Sequence, residues 1–444
     1  MALTGLEIFK LLPKTNCKKC GMPTCLAFAM QLAQKRAKLD DCPDVSEEAK
    51  KLLSAAAAPP MKLVKFGSGD NEVQVGQETV LFRHEEKFYN PTVLAVTVSD
   101  KLGGEELKKR IEAINALRFE RVGVKIGVKA IAVMNDSGSP EAFAGAAAAV
   151  KDSSPLVLIL CSQSAESLAA ALAKTADSAP LIGFASAETA EAMAKIARQN
   201  NCPLVAKADS IDALADLSEK IKAAGVEDIV LSLDGLGLRD KLYNLTRMRA
   251  LGLKKVFRPL GYPVLSFMAD GEGDRQAAAA SLICKYSNIV VMDTAEASVI
   301  LPMLTVVMNI YTDPQKPVQV EPKVYTVGEP DDNSPLMFTT NFSLTYYTVE
   351  SDVEASRVPS RILVVDTEGT SVLTAYSGDK LNEKVVSEAM VKNNVEGMVK
   401  HRRLIIPGYV AVMSGKLEEA TGWEIMVGPR ESAMLPKYLQ EVWQ

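Results

Sequence analysis

The sequence predicts an α/β protein built around a closed (β/α)8 barrel of the TIM type. A small cysteine-bearing unit precedes the barrel, and a Rossmann-like open α/β domain follows it. Three observations carry this prediction. Eight short apolar runs recur between 93 and 292, each followed by a polar turn and a segment with helical spacing. Four of the seven cysteines fall within the first 42 residues. A stretch at 311–335 holding five prolines separates the repeats from the last part of the chain. At 444 residues the chain is too long for one compact core, so a division into several domains is expected. The boundaries read as a cysteine unit at 1–57, a linker with a β-ribbon at 58–92, the barrel at 93–312, a proline-rich linker at 313–336 and a final domain at 337–444.

The first unit carries the strongest motif, C-x2-C-x4-C-x16-C, formed by Cys17, Cys20, Cys25 and Cys42. Four thiolates with short spacings suit a cluster of the 4Fe–4S type, because one loop wraps several corners and a later residue closes the cage. Gly21 and Pro23 supply the tight turn. Cys25 heads a helix predicted to run to about Leu39, and Cys42 returns ahead of Pro43. Structural zinc and unliganded thiols are the alternatives. Zinc favours two C-x2-C knuckles, and one is present here. Cys161, Cys202 and Cys284 are expected to be small buried hydrophobes.

The run SAAAAPPMK at 54–62 reads as a linker, since an Ala-rich segment ends at a Pro-Pro pair. Alternation in 63–90 predicts a short β-ribbon. The barrel strands are VLAVTV (93–98), AIAVM (130–134), LVLIL (156–160), LIGFA (181–185), PLVAK (203–207), DIVLSL (228–233), PVLSFM (263–268) and NIVVM (288–292). Eight units favour closure over an open sheet. Asp100, Asn135, Asp136, Lys207 and Asp234 fall at the strand ends, the face where barrel enzymes place their sites. Ordinary βα turns are equally rich in such residues. No nucleophile–base pair or metal triad assembles from them, so no catalytic residue is assigned.

In the final domain FTTNFSLTYYTVE (338–350) reads as β, and three strand–loop–helix units follow. Their loops, 366–376, 407–415 and 428–432, carry glycines and hydroxyls at the carboxyl ends of strands. Open α/β sheets bind ligands there, and three such loops suit a large flat ligand.

Composition bounds the partners. The net charge of −5 gives no reason to expect nucleic acid or an anionic membrane surface. The start, MALTGLEIFKLLPK, has charges inside its apolar stretch and does not read as a signal peptide. The longest apolar run, 298–310, is too short for a bilayer and contains Pro302. Clustered, odd-numbered cysteines suit a reducing compartment, so the protein reads as cytoplasmic. Two histidines, His84 and His401, exclude a site built on several imidazoles.

Over the full chain the pattern resembles one family. LEIFKLLPKTNCKKCGMPTC, Cys42 in DDCPD, VVDTEGTSVLTAYSGDK, IIPGYVAVMSGKLEEATGW and VGPRESAMLPKYL resemble the large (gamma) subunits of the corrinoid iron–sulfur proteins of the anaerobic acetyl-CoA (Wood–Ljungdahl) pathway. The resemblance implies an N-terminal iron–sulfur domain with a 4Fe–4S cluster on the four cysteines, and a corrinoid-binding C-terminal domain. It implies a methyl carrier belonging to a corrinoid methyltransferase system, with no independent catalytic base. In such a system, cobalt accepts methyl from methyltetrahydrofolate through a methyltransferase and delivers it to CO dehydrogenase/acetyl-CoA synthase. The cluster, fed by a low-potential electron donor, returns cobalt(II) to cobalt(I). The implied partner is a small subunit, forming a heterodimer.

The positions matching corrinoid contacts are Thr340 and Tyr346 in the domain's first strand, then Gly369, Thr370, Ser371, Val372, Leu373 and Thr374, and finally Gly408, Gly428, Arg430 and Ala433. The motif D-x-H-x-x-G, whose histidine ligates cobalt in many corrinoid domains, does not occur, so a base-off cobamide without a histidine ligand is expected. The rival functions are an iron–sulfur oxidoreductase with a flavin or nucleotide, and a pterin-binding barrel methyltransferase.

Overall fold

The structure, a computed structural model, describes residues 5–443 except 34–36, 38, 47–48, 51–52, 54–58, 234 and 269–273. The core of the linker predicted at 54–62 therefore lies outside the described residues, as does Asp234. The chain divides into two compact units. One comprises residues up to Arg118 with Gly127–Tyr311, and the other comprises Phe119–Ile126 with the chain from Thr312 onward. No helix among the described residues is long and apolar enough to cross a membrane.

In the first unit, helices Gly5–Leu11 and Cys25–Ala33 bury Ile8, Leu12, Phe28 and Ala29 together with Cys25 and Cys42. The second helix was expected to reach about Leu39, which instead opens the 3-10 turn Leu39–Asp41. The ribbon is antiparallel: β1 (Leu63–Phe66) pairs with β2 (Val73–Gly76).

The barrel strands are β3 (Val93–Ser99), β6 (Ala130–Met134), β7 (Val157–Cys161), β8 (Leu181–Ala185), β9 (Leu204–Ala208), β10 (Ile229–Leu233), β11 (Leu265–Phe267) and β12 (Ile289–Met292). They are all parallel in the order β10-β9-β8-β7-β6-β3-β12-β11. The bridge Leu231↔Val264 joins the two ends of this order, so the sheet closes. Strands buried on both faces read as continuous apolar runs, which is why all eight were legible. Hydroxyls at the strand ends start the helices. Ser139, Ser164 and Ser210 accept from the N–H groups of Ala142, Ser167 and Ala213. Val64, Phe66 and Val75 of the ribbon share one buried cluster with Ala95, Ala132 and Ile159. The Gly67 N–H donates to the Ala179 carbonyl, just ahead of β8, so the ribbon plugs the amino end of the barrel.

A hairpin of β4 (Arg118–Arg121) and β5 (Val124–Gly127) is inserted between the first barrel helix, Gly104–Asn115, and β6, and its residues 119–126 belong to the second compact unit. Sequence reading missed it because most of its side chains are exposed and show no apolar period.

The second unit is a five-stranded sheet. Its strands are β13 (Val324–Val327), β14 (Leu336–Thr340), β15 (Ser360–Val365), β16 (Arg403–Ile406) and β17 (Glu424–Val427), in the order β13-β15-β14-β16-β17. All neighbours are parallel except the edge strand β13. That edge strand comes from the proline-rich segment 313–336, which thus contributes to the sheet as well as connecting. One prediction is corrected here. The segment 338–350 is not all β: β14 stops at Thr340, and Ser343–Ser356 is a helix. Thr and Tyr favour strands, but Ser343, Tyr346, Val353 and Ser356 recur at helical spacing and are all buried, so packing overrides local preference.

Candidate functional site

In the second unit β14 has β15 on one side and β16 on the other, so the strand order reverses at β14. Connections leaving such a point run over opposite faces and open a cleft at the carboxyl ends of the strands. A cavity of about 320 Å³ lies there, within the size range of small-molecule sites. It is lined by Met337–Thr339 of β14, by Leu344, Thr345, Thr348 and Val349 of the following helix, and by Ser371–Leu373. Ile405–Pro407, Tyr409, Gly428–Ser432 and Leu435 complete it. Leu344 and Leu373 are more than half exposed, which leaves an apolar rim. The Tyr409 hydroxyl donates to Glu431 Oε1 at 2.7 Å, linking the second loop to the third.

Five residues expected from sequence line this cavity: Ser371, Val372, Leu373, Gly428 and Arg430. Seven do not. Thr340 is buried at the end of β14. Its hydroxyl and that of Thr339 have no hydrogen-bond partner among the described residues. Buried orphans of this kind are rare and fit a polar ligand edge at this strand end. Tyr346 lies on the helix and not in a strand. It is buried against Tyr325 and Tyr347, with its hydroxyl donating to Glu350 Oε1 at 2.6 Å.

Gly369 has φ +72°, and a Cβ there would meet Gln319 and Pro317. A Cβ on Gly408 would fall 2.5 Å from the Gly428 carbonyl oxygen, so this glycine lets two loops approach each other rather than a ligand. Thr370 donates to the Thr367 carbonyl, Thr374 accepts from Ser371 Oγ, and Ala433 is exposed in the turn Ser432–Met434. Leu344, Thr345 and Thr348 escaped sequence reading because their helix was taken for a strand. Its buried positions at helical spacing were the available signal.

In the first unit the cysteine loop is shaped by left-handed residues Lys14, Asn16, Lys18 and Gly21. Alternating backbone of this kind turns N–H groups toward a common concavity, as at many iron–sulfur sites. The Asn16 N–H donates to Cys25 Sγ at 3.3 Å, and Asn16 Oδ1 accepts from the Cys25 N–H at 2.8 Å. Cys17 is exposed and its thiol lies 3.5 Å from Asp44 Oδ2; Cys25 and Cys42 are buried. Burial pushes the Cys42 thiol up, and Cys20, Cys17 and Cys25 push in the same direction. Among the described residues no three His, Cys, Asp or Glu side chains converge on a single metal-ion position.

At the barrel's strand ends most of the polar residues are engaged, though Asn135 Oδ1 is buried with no hydrogen-bond partner among the described residues. Asp100 Oδ1 accepts from the N–H groups of Asp136 and Ser137 at 2.9 and 2.8 Å, and Oδ2 accepts from Ser137 Oγ at 2.6 Å. Asn135 donates to Ser162 Oγ, and Lys207 stands over the Phe184 ring. Burial raises the Cys161 thiol and pushes Cys202 up to about 11. Cys284 corrects an expectation: it ends the helix Arg275–Cys284 exposed, not buried.

The family model for the CO dehydrogenase/acetyl-CoA synthase delta subunit matches residues 63–439, and one named "Putative Fe-S cluster" matches residues 12–43. The chain is 46% identical over 434 residues to the corrinoid/iron-sulfur protein large subunit of Moorella thermoacetica, covering 98% of this chain and 97% of that one. It is 39% identical over 456 residues to the acetyl-CoA decarbonylase/synthase complex subunit gamma of Methanothermobacter thermautotrophicus, covering 100% and 99%. Among solved structures, the dihydropteroate synthase of Thermus thermophilus covers 56% of this chain and 100% of its own, at 16% identity and a TM-score of 0.40. That likeness is too slight to carry an argument. With relatives of this identity along its whole length, the chain belongs to the family of the corrinoid/iron–sulfur protein large subunit, the gamma subunit of acetyl-CoA decarbonylase/synthase complexes.

Proposed function

We propose that this chain is a methyl-group carrier that holds a corrinoid in its C-terminal unit and a 4Fe–4S cluster on Cys17, Cys20, Cys25 and Cys42. The observation that carries the reading is the apolar cavity at the reversal point of the second sheet, with three loops around its mouth. A bound corrinoid supplies a cobalt able to take a methyl group from methyltetrahydrofolate, through a methyltransferase, and to pass it to acetyl-CoA synthase. Residues Ser371–Leu373, Gly428 and Arg430 would bear on the corrinoid. The orphan hydroxyls of Thr339 and Thr340 would meet its polar edges. The cysteine loop would hold the cluster that feeds single low-potential electrons to the inactive cobalt(II) form. The small subunit, the methyltransferase and the acetyl-CoA synthase complex are the proposed partners.

Binding would be base-off and without histidine. The engagement of His401 supports this: its Nε2 donates to the Ser334 carbonyl at 2.9 Å, and its Nδ1 accepts from the Arg403 N–H at 3.2 Å. It lies ahead of β16, at the amino end, whereas the cavity is at the carboxyl end. His84 stacks on Phe82 in the other unit.

Metal analysis of the anaerobically purified full chain tests the reading. Iron near four and cobalt near one per chain are the expected contents for one such cluster and one corrinoid. In Cys42→Ser the iron should fall while cobalt remains, and Cys161→Ser should lose neither. A wild-type chain without cobalt would overturn the corrinoid assignment, and full iron in Cys42→Ser would overturn the ligand set.

A further inference from the structure

Asn341, the residue after β14, belongs to neither the cavity lining nor the expected contacts, yet the whole first loop hangs on it. It is 1% exposed. Its Oδ1 accepts from the Thr367 N–H at 3.0 Å, the Gly369 N–H at 3.0 Å and Thr367 Oγ1 at 3.1 Å. Its Nδ2 donates to Asp366 Oδ1 at 2.9 Å and Gln319 Oε1 at 3.2 Å. Two backbone N–H donors on one side and two acceptors on the other fix which end of the amide is oxygen. The backbone is used as well: the Asn341 N–H donates to the Val365 carbonyl, and its own carbonyl accepts from the Val320 N–H.

One side chain therefore ties three segments together: the end of β14, the loop 366–371 that leads into Ser371–Leu373, and the 317–320 stretch. Gly369, pressed against Gln319 and Pro317, leaves that stretch no freedom to drift over the loop. The single Thr367 hydroxyl proton has two acceptors in reach, Asn341 Oδ1 at 3.1 Å and the Thr370 carbonyl at 2.9 Å, and either bond closes the arrangement.

We infer that Asn341 is a positioning residue for the corrinoid: without touching it, Asn341 holds the 366–371 loop in the one shape that presents Ser371–Leu373 to the ligand. The inference rests on the corrinoid reading proposed above. Few other side chains serve. Aspartate keeps the acceptors for Thr367 and Gly369 but loses both donors and sets a carboxylate against Asp366. Alanine leaves the buried N–H groups of Thr367 and Gly369 without their acceptor.

The test uses the full chain freed of its native corrinoid, with cobalamin as the probe. Affinity is measured by equilibrium dialysis, and the cobalt(II) paramagnetic resonance spectrum is the second readout. Asn341→Ala should weaken cobalamin about 10- to 100-fold, the range seen when outer hydrogen bonds behind a metal centre are removed. Its cobalt(II) signal should broaden as the loop samples several shapes. Asn341→Asp should recover part of the affinity because the two loop N–H bonds return. Should the alanine variant not fold, Thr367→Val removes one hydroxyl from the same knot and should weaken binding about threefold, the worth of one hydrogen bond. Wild-type affinity in Asn341→Ala, no recovery in Asn341→Asp, or wild-type affinity in Thr367→Val would each overturn the proposal. A wild-type chain that binds no cobalamin would instead overturn the corrinoid reading itself.

Discussion

The barrel and the C-terminal sheet are built from the same β–loop–α rhythm, and both turn the carboxyl ends of parallel strands toward a ring of polar loops. They treat those ends differently. In the barrel the sheet closes on itself through Leu231 and Val264, and Asp100 is held by Asp136 and Ser137, although Asn135 Oδ1 is buried without a hydrogen-bond partner among the described residues. In the open sheet, β15 and β16 leave β14 on opposite sides, and the loops part around a cavity whose lining includes Thr339, its hydroxyl unpartnered among the described residues. Where a sheet reverses, geometry makes room before any side chain is chosen; where it closes, side chains and turns fill the room. A count of polar residues at strand ends is then a poor guide to a ligand site, and the order of the strands is a better one.

The contrast breaks most easily at the glycines. Gly408 lets the loops after β16 and β17 meet, with its missing Cβ 2.5 Å from the Gly428 carbonyl oxygen and 2.8 Å from the Arg430 nitrogen. Backbone cannot swing aside as a side chain does. Gly408→Ala should therefore cost about 3 kcal/mol of stability and release bound corrinoid. Gly138, in the barrel loop after β6, has φ +71° and nothing within 4 Å of its missing Cβ. Gly138→Ala should cost only the left-handed backbone penalty of about 1–2 kcal/mol and leave cobalt content unchanged. Thermal denaturation with cobalt analysis distinguishes the two, and equal cobalt loss would erase the contrast.

The barrel's strand ends offer the next test. Asp100→Ala removes the acceptor for two loop N–H groups and a hydroxyl. It should destabilise the barrel by about 2 kcal/mol, read from denaturant midpoints. Corrinoid affinity should not change. A loss of affinity in this variant would mean that the barrel mouth takes part in the site after all.

Much of this architecture was legible, for physical reasons that differ by region. The eight barrel strands announced themselves because strands covered on both faces must be apolar throughout, as in IVLSL of β10 with every residue buried. The cysteine pattern stood out because cluster chemistry favours one residue type at short spacings, and the matching family model spans residues 12–43. The hairpin Arg118–Gly127 left no trace, since exposed strands need no pattern. The helix Ser343–Ser356 was misread because Thr345, Tyr346, Tyr347, Thr348 and Val349 all favour strands locally, while its burial every three to four residues becomes decisive only against the sheet. Of the expected contacts, five line the cavity. Single members such as Gly369 and Gly408 proved to serve the loops' own packing. Asn341 was invisible because nothing in NFS says that one amide will gather three segments separated along the chain.

The smallest effect concerns the other end of the open sheet, and it sharpens the contrast between strand ends that bind and strand ends that only hold. His401 precedes β16 at its amino end, with Nε2 donating to Ser334, Nδ1 accepting from Arg403 and the ring against Trp443. Partial burial lowers its pKa below the ordinary 6.5, and Arg403 and Arg361 add to that, while the Ser334 carbonyl opposes. The charged form is thus disfavoured in the folded chain. In the unfolded chain the ring takes up its proton from about pH 6.5 downward, where the folded ring does not, so the unfolded state binds more protons. This contribution to stability is fully present above pH 6.5 and is lost as pH falls through the lowered folded value. Protonation also removes the Nδ1 acceptor from the Arg403 N–H. The ring is only half-buried, so solvent screening keeps the effect below about 1 kcal/mol. His401→Gln should show a shallower fall in melting temperature between pH 7 and pH 5 than the wild type, with an unaltered cobalt(II) spectrum at pH 7. Parallel melting curves would mean that the ring's proton is not coupled to folding. Loss of a nitrogen splitting from the cobalt(II) signal would make His401 a ligand and put a binding group at the end of the sheet that the fold assigns to structure.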